Sequence, residues 1–162
     1  MDQTSLVIRR AAATDADVGL VARLFDGYRQ FYGRPPDLAL ATDFVGARLW
    51  ADDSVIFLAL ADAAATDALG FAQIYLSWSS VAARPIWILN DLFVAPAARG
   101  RGVGRALLKR CRAYGVETGA QRLSLETLVG NSGAQRLYES LGWHCQNDVT
   151  KFYELALDRS DG

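Results

Sequence analysis

The chain has 162 residues, of which 51% are hydrophobic, and a formal net charge of −1. This composition supplies enough apolar side chains for one core, and we predict a single domain over residues 1–162. The balanced charge lacks the basic surface of a nucleic-acid-binding protein, and no run approaches the roughly 18–20 apolar residues of a membrane span. The first residues lack a signal-peptide pattern and two cysteines are too few for a disulfide framework, so we expect a cytoplasmic protein.

Apolar runs bounded by turn residues predict six strands. In chain order they cover residues 6–9, 54–60, 69–77, 86–94, 123–128 and 149–157. The small and acidic residues 62–67 are the expected turn of a hairpin between the second and third strands.

Helical spacing of apolar residues predicts four helices between these strands. The first begins at Thr14 or Asp15 and is broken by residues 34–37, and the others cover about 39–50, about 103–118 and the residues after Asn131. This order predicts an α/β fold with a mixed sheet and helices on both faces.

A glycine-rich loop, R-G-R-G-V-G at residues 99–104, follows the strand 86–94. Its glycines let the backbone approach a ligand closely where a helix begins, and a helix start carries unpaired N–H groups and the positive end of the macrodipole. The loop therefore predicts a phosphate-binding site, with a glycine-rich turn that binds no ligand as the alternative. A P-loop is excluded because its Lys and Ser/Thr are missing, and a dinucleotide-binding loop because Arg105 replaces the last glycine.

A second block, N-S-G-A-Q-R-L-Y-E-S-L-G-W, occupies residues 131–143. Asn131 is a favourable N-cap residue, and Gly142 stands where a helix C-cap is expected. The block resembles the pattern Asn-x-x-Ala-x-x-Leu-Tyr-x-x-x-Gly-Phe/Trp of the GNAT superfamily of N-acetyltransferases. The loop Arg99-x-x-Gly102-x-Gly104 resembles the pyrophosphate-binding motif of the same family, and the two motifs occur in the family's order and spacing.

This resemblance implies the GNAT acyl-CoA N-acyltransferase fold, with a mixed, mostly antiparallel central sheet, and acetyl-CoA as cosubstrate without a metal. In related enzymes the backbone at the positions of Leu92 and Val94 pairs with the pantetheine arm, and the side chain at the position of Asn131 contacts the cofactor. The residues expected to bind the cofactor are Leu92, Phe93, Val94, Arg99, Gly100, Arg101, Gly102, Val103, Gly104, Arg105, Asn131, Ala134 and Tyr138.

The expected catalytic residues are Tyr138, Asn90 and Asp91. Tyr138 matches the family tyrosine that lies near the thioester sulfur and acts as general acid, although a packing role on its helix is the alternative. The strand 88–94 is similar to that of polyamine and small-amine acetyltransferases, where Glu often stands at the position of Asn90. An amide cannot take a proton, so Asn90 is expected to orient a water or the amine. Asp91 is then the nearest carboxylate, although it points to the opposite face unless a bulge re-aims it, and a structural cap is its alternative role.

The resemblance places acceptor binding on the first two helices and the strands that face them. The expected substrate-binding residues are Asp26, Tyr32, Asn90 and Glu126. The carboxylate of Asp26 and the aromatic face of Tyr32 would both attract an ammonium group. Phe25, Tyr28 and Phe31 are expected in the core, and His144 is expected to be a surface or core histidine.

We expect an N-acetyltransferase that acts on a small primary amine such as a polyamine or amino acid. The expected assembly is a homodimer, with neither nucleic acid nor membrane as partner. The alternatives are a protein-lysine or peptide N-terminal acetyltransferase, or a CoA-binding module without catalysis.

Overall fold

The computed structural model describes residues 6–157. The chain forms two compact units, Met1–Glu126 and Thr127–Gly162. The first unit carries the sheet and three of the helices, and the second carries a short helix. The single domain expected over residues 1–162 stays a prediction.

A five-stranded sheet forms the centre of the first unit, in the order β1-β2-β3-β4-β5. Its strands are β1 (Val7–Arg10), β2 (Val55–Leu60), β3 (Ala68–Ser79), β4 (Arg84–Val94) and β5 (Leu123–Leu125). Neighbouring strands are antiparallel except β4 and β5, which are parallel. The mixed, mostly antiparallel sheet is therefore confirmed.

The four predicted helices are present and begin at polar caps or at glycine. Their bounds are α1 (Asp15–Phe31), α2 (Leu38–Ala51), α3 (Val103–Glu117) and α4 (Ser132–Ser140), with a 3-10 turn at Pro96–Ala98. Thr14 accepts a hydrogen bond from the Asp17 N–H, and Asp37 accepts one from the Leu40 N–H. Each bond satisfies an N–H group that a helix start leaves without a partner.

Helices cover both faces of the sheet. On one face α1 and α2 pack against Ile56, Leu58, Phe71 and Phe93. On the other face Tyr114 of α3 lies with its ring centroid 5.6 Å from Phe57, whose side chain alternates with those of Ile56 and Leu58. Burial of each large apolar side chain stabilises the fold by about 1.5–3 kcal/mol, so the two layers fix the sheet between them.

A partly buried ion pair joins β1 to the start of α1. Arg9 donates two hydrogen bonds of 2.7 Å to the carboxylate of Asp17, which also accepts the Ala12 N–H at 2.7 Å. The side-chain hydrogen bonds from Arg9 hold the pKa of Asp17 below its usual range. The negative charge also lies in the first turn of α1, where the helix dipole favours it.

The sixth expected strand, residues 149–157, does not form. Its apolar side chains, among them Phe152, Tyr153 and Leu155, are exposed. The apolar pattern predicted a strand because it favours extended structure. A strand also needs a neighbour that pairs with its N–H and C=O groups, and no described strand pairs with this segment. The fifth strand is also shorter than predicted and ends at Leu125.

Candidate acetyl-transfer site

The strand β4 has an open edge. It pairs with β5 only at Trp87, Ile88 and Leu89. From Asp91 to Val94 it continues beside β3 alone in the part of the unit that the structure describes. Residues 90–94 therefore present one strand edge without a strand neighbour.

The hydrogen-bond pattern shows which groups face this edge. The Ala95 N–H donates to the Leu69 carbonyl at 2.9 Å, across the antiparallel pair of β3 and β4. Because every second residue of an antiparallel strand bonds to its partner, Asp91 and Phe93 bond toward β3, whereas Leu92 and Val94 direct their N–H and C=O groups to the open edge. These are the two residues whose backbone was expected to pair with the pantetheine arm. The Val94 carbonyl already accepts the Arg99 Nε at 3.1 Å, so Arg99 is held against this edge.

A β-bulge at Asn90 sets the direction of the two polar side chains of β4. The register passes from Ile74 opposite Leu89 to Gln73 opposite Asp91, which leaves Asn90 as the extra residue. The Asn90 amide nitrogen lies 3.2 and 3.3 Å from the two carboxylate oxygens of Asp91. The bulge thus brings together two side chains that regular alternation would separate.

Asp91 is a buried carboxylate on the face of the sheet that α1 covers. It is 5% exposed, and its neighbour Asn90 is exposed. Burial raises the pKa of Asp91, and hydrogen bonds from Asn90 and Tyr28 oppose this increase. Burial and the charge of Asp91 likewise raise the pKa of the Tyr28 hydroxyl, which keeps Tyr28 a neutral donor.

The sequence did not identify a polar row that crosses the sheet beside Asp91. Gln73, opposite Asp91, is fully buried and donates to the Ser54 hydroxyl at 2.8 Å and to the Tyr75 hydroxyl at 3.0 Å. Burial, with the charge of Asp91, raises the pKa of Tyr75 to about 12. The sequence feature that could have indicated these residues is a glutamine inside the otherwise apolar strand 69–77. Tyr28 was expected in the core, and its hydroxyl instead forms a hydrogen bond with the Asp91 carboxylate.

The glycine loop leads from β4 into α3. Gly100 and Gly102 have φ values of +73° and +80°, and a Cβ atom at either would meet nothing within 4 Å. Gly102 is the N-cap residue and provides no side chain to the first N–H groups of α3. Open space, uncapped N–H groups and the arginines at 99, 101 and 105 are what an anionic diphosphate needs.

The second unit presents its motif residues on α4. The Asn131 side chain accepts a hydrogen bond from the Ala134 N–H, which fixes the start of the helix. Tyr138 is half-buried, with its ring centroid 6.0 Å from that of Trp143, and Gly142 has a φ of +85° after the helix. The predicted cap, stop and helix are confirmed. The catalytic role of Tyr138 and the cofactor contacts of Asn131 and Ala134 stay predictions.

The residues expected to bind the acceptor differ in their surroundings. Asp26 accepts hydrogen bonds from the Asp37 N–H at 2.8 Å and from Gln30 at 3.0 Å, so it ties the end of α1 to the start of α2. Tyr32 is partly exposed, with its ring centroid 5.0 Å from that of Tyr28. Glu126 is exposed and follows β5 directly, at the point where β4 and β5 stop pairing.

Three other features of the described residues bear on the site. No group of His, Cys, Asp and Glu side chains among residues 6–157 is arranged to hold a metal ion. No helix within the same residues has the length and apolarity to cross a membrane. Phe31, expected in the core, is instead 53% exposed at the end of α1, and His144 is exposed.

Comparison with known proteins shows the family of the chain. Residues 21–143 match the Acetyltransferase (GNAT) family. The chain is 42% identical over 136 residues to the N-acetyltransferase YhfO of Bacillus subtilis, which covers 84% of this chain and 88% of that protein. It is 34% identical over 86 residues to the thialysine N-epsilon-acetyltransferase of Bos taurus, 48% of this chain and 50% of that one.

A comparison with solved structures also finds acetyltransferases. The crystal structure of a probable acetyltransferase superimposes with a TM-score of 0.85 at 38% sequence identity, over 94% of this chain and 98% of that chain. Family model, sequence relatives and fold therefore agree with one another. The chain belongs to the acetyltransferase (GNAT) family and is an N-acetyltransferase.

Proposed function

We propose that the protein transfers the acetyl group of acetyl-CoA to the primary amine of a small molecule. The observation that carries this proposal is the open edge of β4, which runs from the Asn90 bulge into the uncapped start of α3. The edge of β4 offers backbone N–H and C=O groups that can pair with amides, and the carboxylate of Asp91 lies at the bulge. The start of α3 offers a site for an anion. Together they fit a long ligand with a thioester at one end and phosphates at the other.

The residues present fit the cofactor. The N–H and C=O groups of Leu92 and Val94 would pair with the amides of the pantetheine arm as an added strand. The backbone at Gly100, Gly102 and Gly104 would approach the pyrophosphate, and the three arginines of the loop would balance its charge. When bound, acetyl-CoA supplies an acetyl group activated as a thioester.

Asp91 is the group we assign to receive the proton of the amine. An alkylammonium has a pKa of about 10 and is almost wholly protonated at neutral pH, so a proton must leave before the nitrogen attacks. Asp91 is buried at the bulge and has a raised pKa, which makes it a stronger base than an exposed carboxylate. Asn90 orients the amine or a water beside it, and Glu126 at the end of β5 is the alternative base.

Tyr138 is the general acid in this proposal. Its place in the second motif supports the role, because a positioned phenol holds a proton that a departing thiolate can accept. A reference phenol has a pKa of about 10 and a thiol one of about 8.5, so the transfer is only slightly uphill. The homodimer and cytoplasmic location expected from the sequence also remain part of the proposal.

A thiol-release assay tests the proposed function. Purified protein is incubated with acetyl-CoA and either free primary amines or peptides that present a lysine side chain or an N-terminal amine, and free CoA is measured. We expect acetylation of free amines and little acetylation of the peptides. Faster acetylation of the peptides would replace the small-amine proposal with a protein acetyltransferase, and acetyl-CoA binding without transfer to any amine would indicate a CoA-binding module.

A further inference from the structure

The phenol ring of Tyr28 lies on the face of the sheet that carries the Asp91 carboxylate. Tyr28 belongs to α1, and its ring centroid lies 6.2 Å from that of Phe71 on β3 and 6.4 Å from that of Phe93 on β4, both edge to face. The ring of Tyr32, which follows α1, lies 5.0 Å away by the same measure. These three rings fix the position and the tilt of the phenol.

The hydroxyl of Tyr28 donates a hydrogen bond to the Asp91 carboxylate. Asp91 and Phe93 are two residues apart on β4, beyond the bulge, so their side chains share the face on which the phenol lies. The second donor to Asp91 is the Asn90 amide, at 3.2 and 3.3 Å from the two carboxylate oxygens. Asn90 is exposed, whereas the ring of Tyr28 is enclosed by other rings. Packing therefore fixes the donor on α1 more firmly than the donor at the bulge.

The ionisable groups of β3 and α2 on this face have other partners. Tyr75 lies two residues beyond Gln73, and its hydroxyl accepts a hydrogen bond from the Gln73 amide at 3.0 Å. Arg48 of α2 pairs with Asp53 at 2.9 Å. The charges of Arg48 and Asp53 act on the Tyr75 hydroxyl in opposite directions, as does its bond from Gln73 against the charge of Asp91.

The remaining elements around β4 add little charge on this face. On α1, Asp26 accepts a hydrogen bond from the start of α2, and Arg29 is turned about 100° from Tyr28 around the helix. The strand β5 has no ionisable side chain, and the exposed Glu126 follows it. The helix α3 packs on the opposite face of the sheet. Within the described part of the first unit, Tyr28 is thus the ionisable residue with a hydrogen bond to Asp91.

We infer that Tyr28 is a positioning residue of the acetyl transfer, which holds Asp91 ionised and oriented to take the proton of the amine. The inference rests on the proposed function and adds a residue to it. A hydrogen bond to the charged form of a carboxylate favours that form, so it offsets part of the penalty that burial places on the charge. The proton of the ammonium group passes to a carboxylate oxygen of Asp91, while Tyr28 keeps its own proton.

A titration of the carboxyl groups tests this contact without a substrate. Protein labelled with carbon-13 at the aspartate side-chain carboxyl is followed by NMR, and the Asp91 signal is the one that Asp91→Asn removes. Tyr28→Phe keeps the ring and deletes the donor, and we expect it to raise the titration midpoint of Asp91 by about one pH unit. Incorporation of 3-fluorotyrosine at position 28 supplies a stronger donor and is expected to lower the midpoint.

The matched control is Tyr75→Phe. It removes a hydroxyl from the same face of the sheet, but this hydroxyl contacts Gln73 rather than Asp91. We expect the midpoint of Asp91 to change less in this variant than in Tyr28→Phe.

The pH profile of kcat/KM separates positioning from packing. 2-Phenylethylamine and 1,4-diaminobutane are the probe amines, at saturating acetyl-CoA. On the ascending limb kcat/KM follows the ionised fraction of Asp91, so we expect Tyr28→Phe to lower it about tenfold there. At pH 9 Asp91 is ionised in both proteins, and the variant is expected to approach the wild-type value. The KM for acetyl-CoA is expected to stay unchanged.

Three results overturn the inference while the proposed function stands. The first is a midpoint of Asp91 that Tyr28→Phe leaves unchanged, and the second is an equal shift in Tyr75→Phe. The third is a loss of kcat/KM by the same factor at every pH, which would make Tyr28 a packing residue of α1. Acetyl-CoA that stabilises the protein against heat while no free amine is acetylated removes the proposed function itself, and the inference with it.

Discussion

Asp91 shows how a single residue can lower stability and still serve the reaction. Its carboxylate is almost fully buried, its polar partners are the Asn90 amide and the Tyr28 hydroxyl, and no ion pair within residues 6–157 involves it. Burial of a charge that lacks a cationic partner destabilises the folded state. A carboxylate in this position is expected where its basicity is needed.

Replacement of Asp91 by Asn therefore separates stability from activity. Folding raises the pKa of Asp91, so its ionisation weakens the folded state as the pH rises through the raised value. We expect Asp91→Asn to unfold at a higher urea concentration than the wild type at pH 8, and this difference to shrink toward pH 4. We also expect kcat/KM to fall by about tenfold or more, because the base is lost.

The controls for Asp91 are Asn90→Ala and Asp43→Asn. Asn90→Ala keeps the carboxylate and is expected to reduce kcat/KM less. Asp43→Asn removes an exposed carboxylate on the outer side of α2 and is expected to change neither measurement. An Asp91→Asn protein that is fully active would assign the proton to another group, with Glu126 and Asp26 the next candidates.

Tyr138 is tested by removal of its hydroxyl alone. Tyr138→Phe keeps the ring and its packing near Trp143 but deletes the donor. We expect kcat to fall by roughly 10²–10⁴-fold while the affinity for acetyl-CoA changes little. Single-turnover kinetics measure the chemical step directly, and a loss of less than threefold there would make Tyr138 a packing residue of α4.

At the scale of the elements, the sequence predicted those features that depend only on neighbouring residues, such as helix caps. Thr14 and Asn131 cap helices because each can accept an N–H three residues ahead, and their neighbours in sequence are enough to show this. Asp37 caps α2 in the same way, although the sequence indicated it only as part of a break between helices. The bulge at Asn90 depends on the register between β3 and β4, which no local pattern encodes. For the same reason the contacts around Asp91 were missed, since its partner Tyr28 and its cross-strand neighbour Gln73 lie far from it in the sequence.

The glycine loop is tested at the start of α3. Gly102→Val fills the open space beside a residue with a φ of +80°, where only glycine is unstrained. We expect the dissociation constant for acetyl-CoA, measured by calorimetry, to rise by about tenfold or more as backbone hydrogen bonds to phosphate are lost. Gly119→Val is the matched control, because Gly119 follows the other end of α3 with a φ of +68° and equally open surroundings. It carries the same backbone strain, so equal losses of affinity in the two variants would remove the loop as the anion site.

At the scale of the whole molecule, the two units differ in how much they bury. All six residues of β2 are buried, whereas α4 has no buried residue and none of the described residues 127–157 is buried. Segments that bury little apolar surface open at a low free energy, while core strands open only with the whole fold. The sequence showed the second motif but not this difference, because burial is a property of the assembled chain.

Amide hydrogen exchange measures the difference in local stability between the two units. The same experiment tests whether the second motif, residues 131–143, binds the cofactor. In the free protein we expect the amides of α4 to exchange much faster than those of β2 and β3, because few contacts oppose local opening. Acetyl-CoA is expected to slow exchange at residues 103–106, where α3 begins. If Asn131, Ala134 and Tyr138 bind the cofactor as their motif implies, it also slows exchange at residues 134–138, because a bound ligand stabilises the state that binds it. Gly102→Val should weaken both effects at the same concentration of acetyl-CoA. Protection at α3 with none at α4 would show that the second motif is a helix cap and packing unit without a role in cofactor binding.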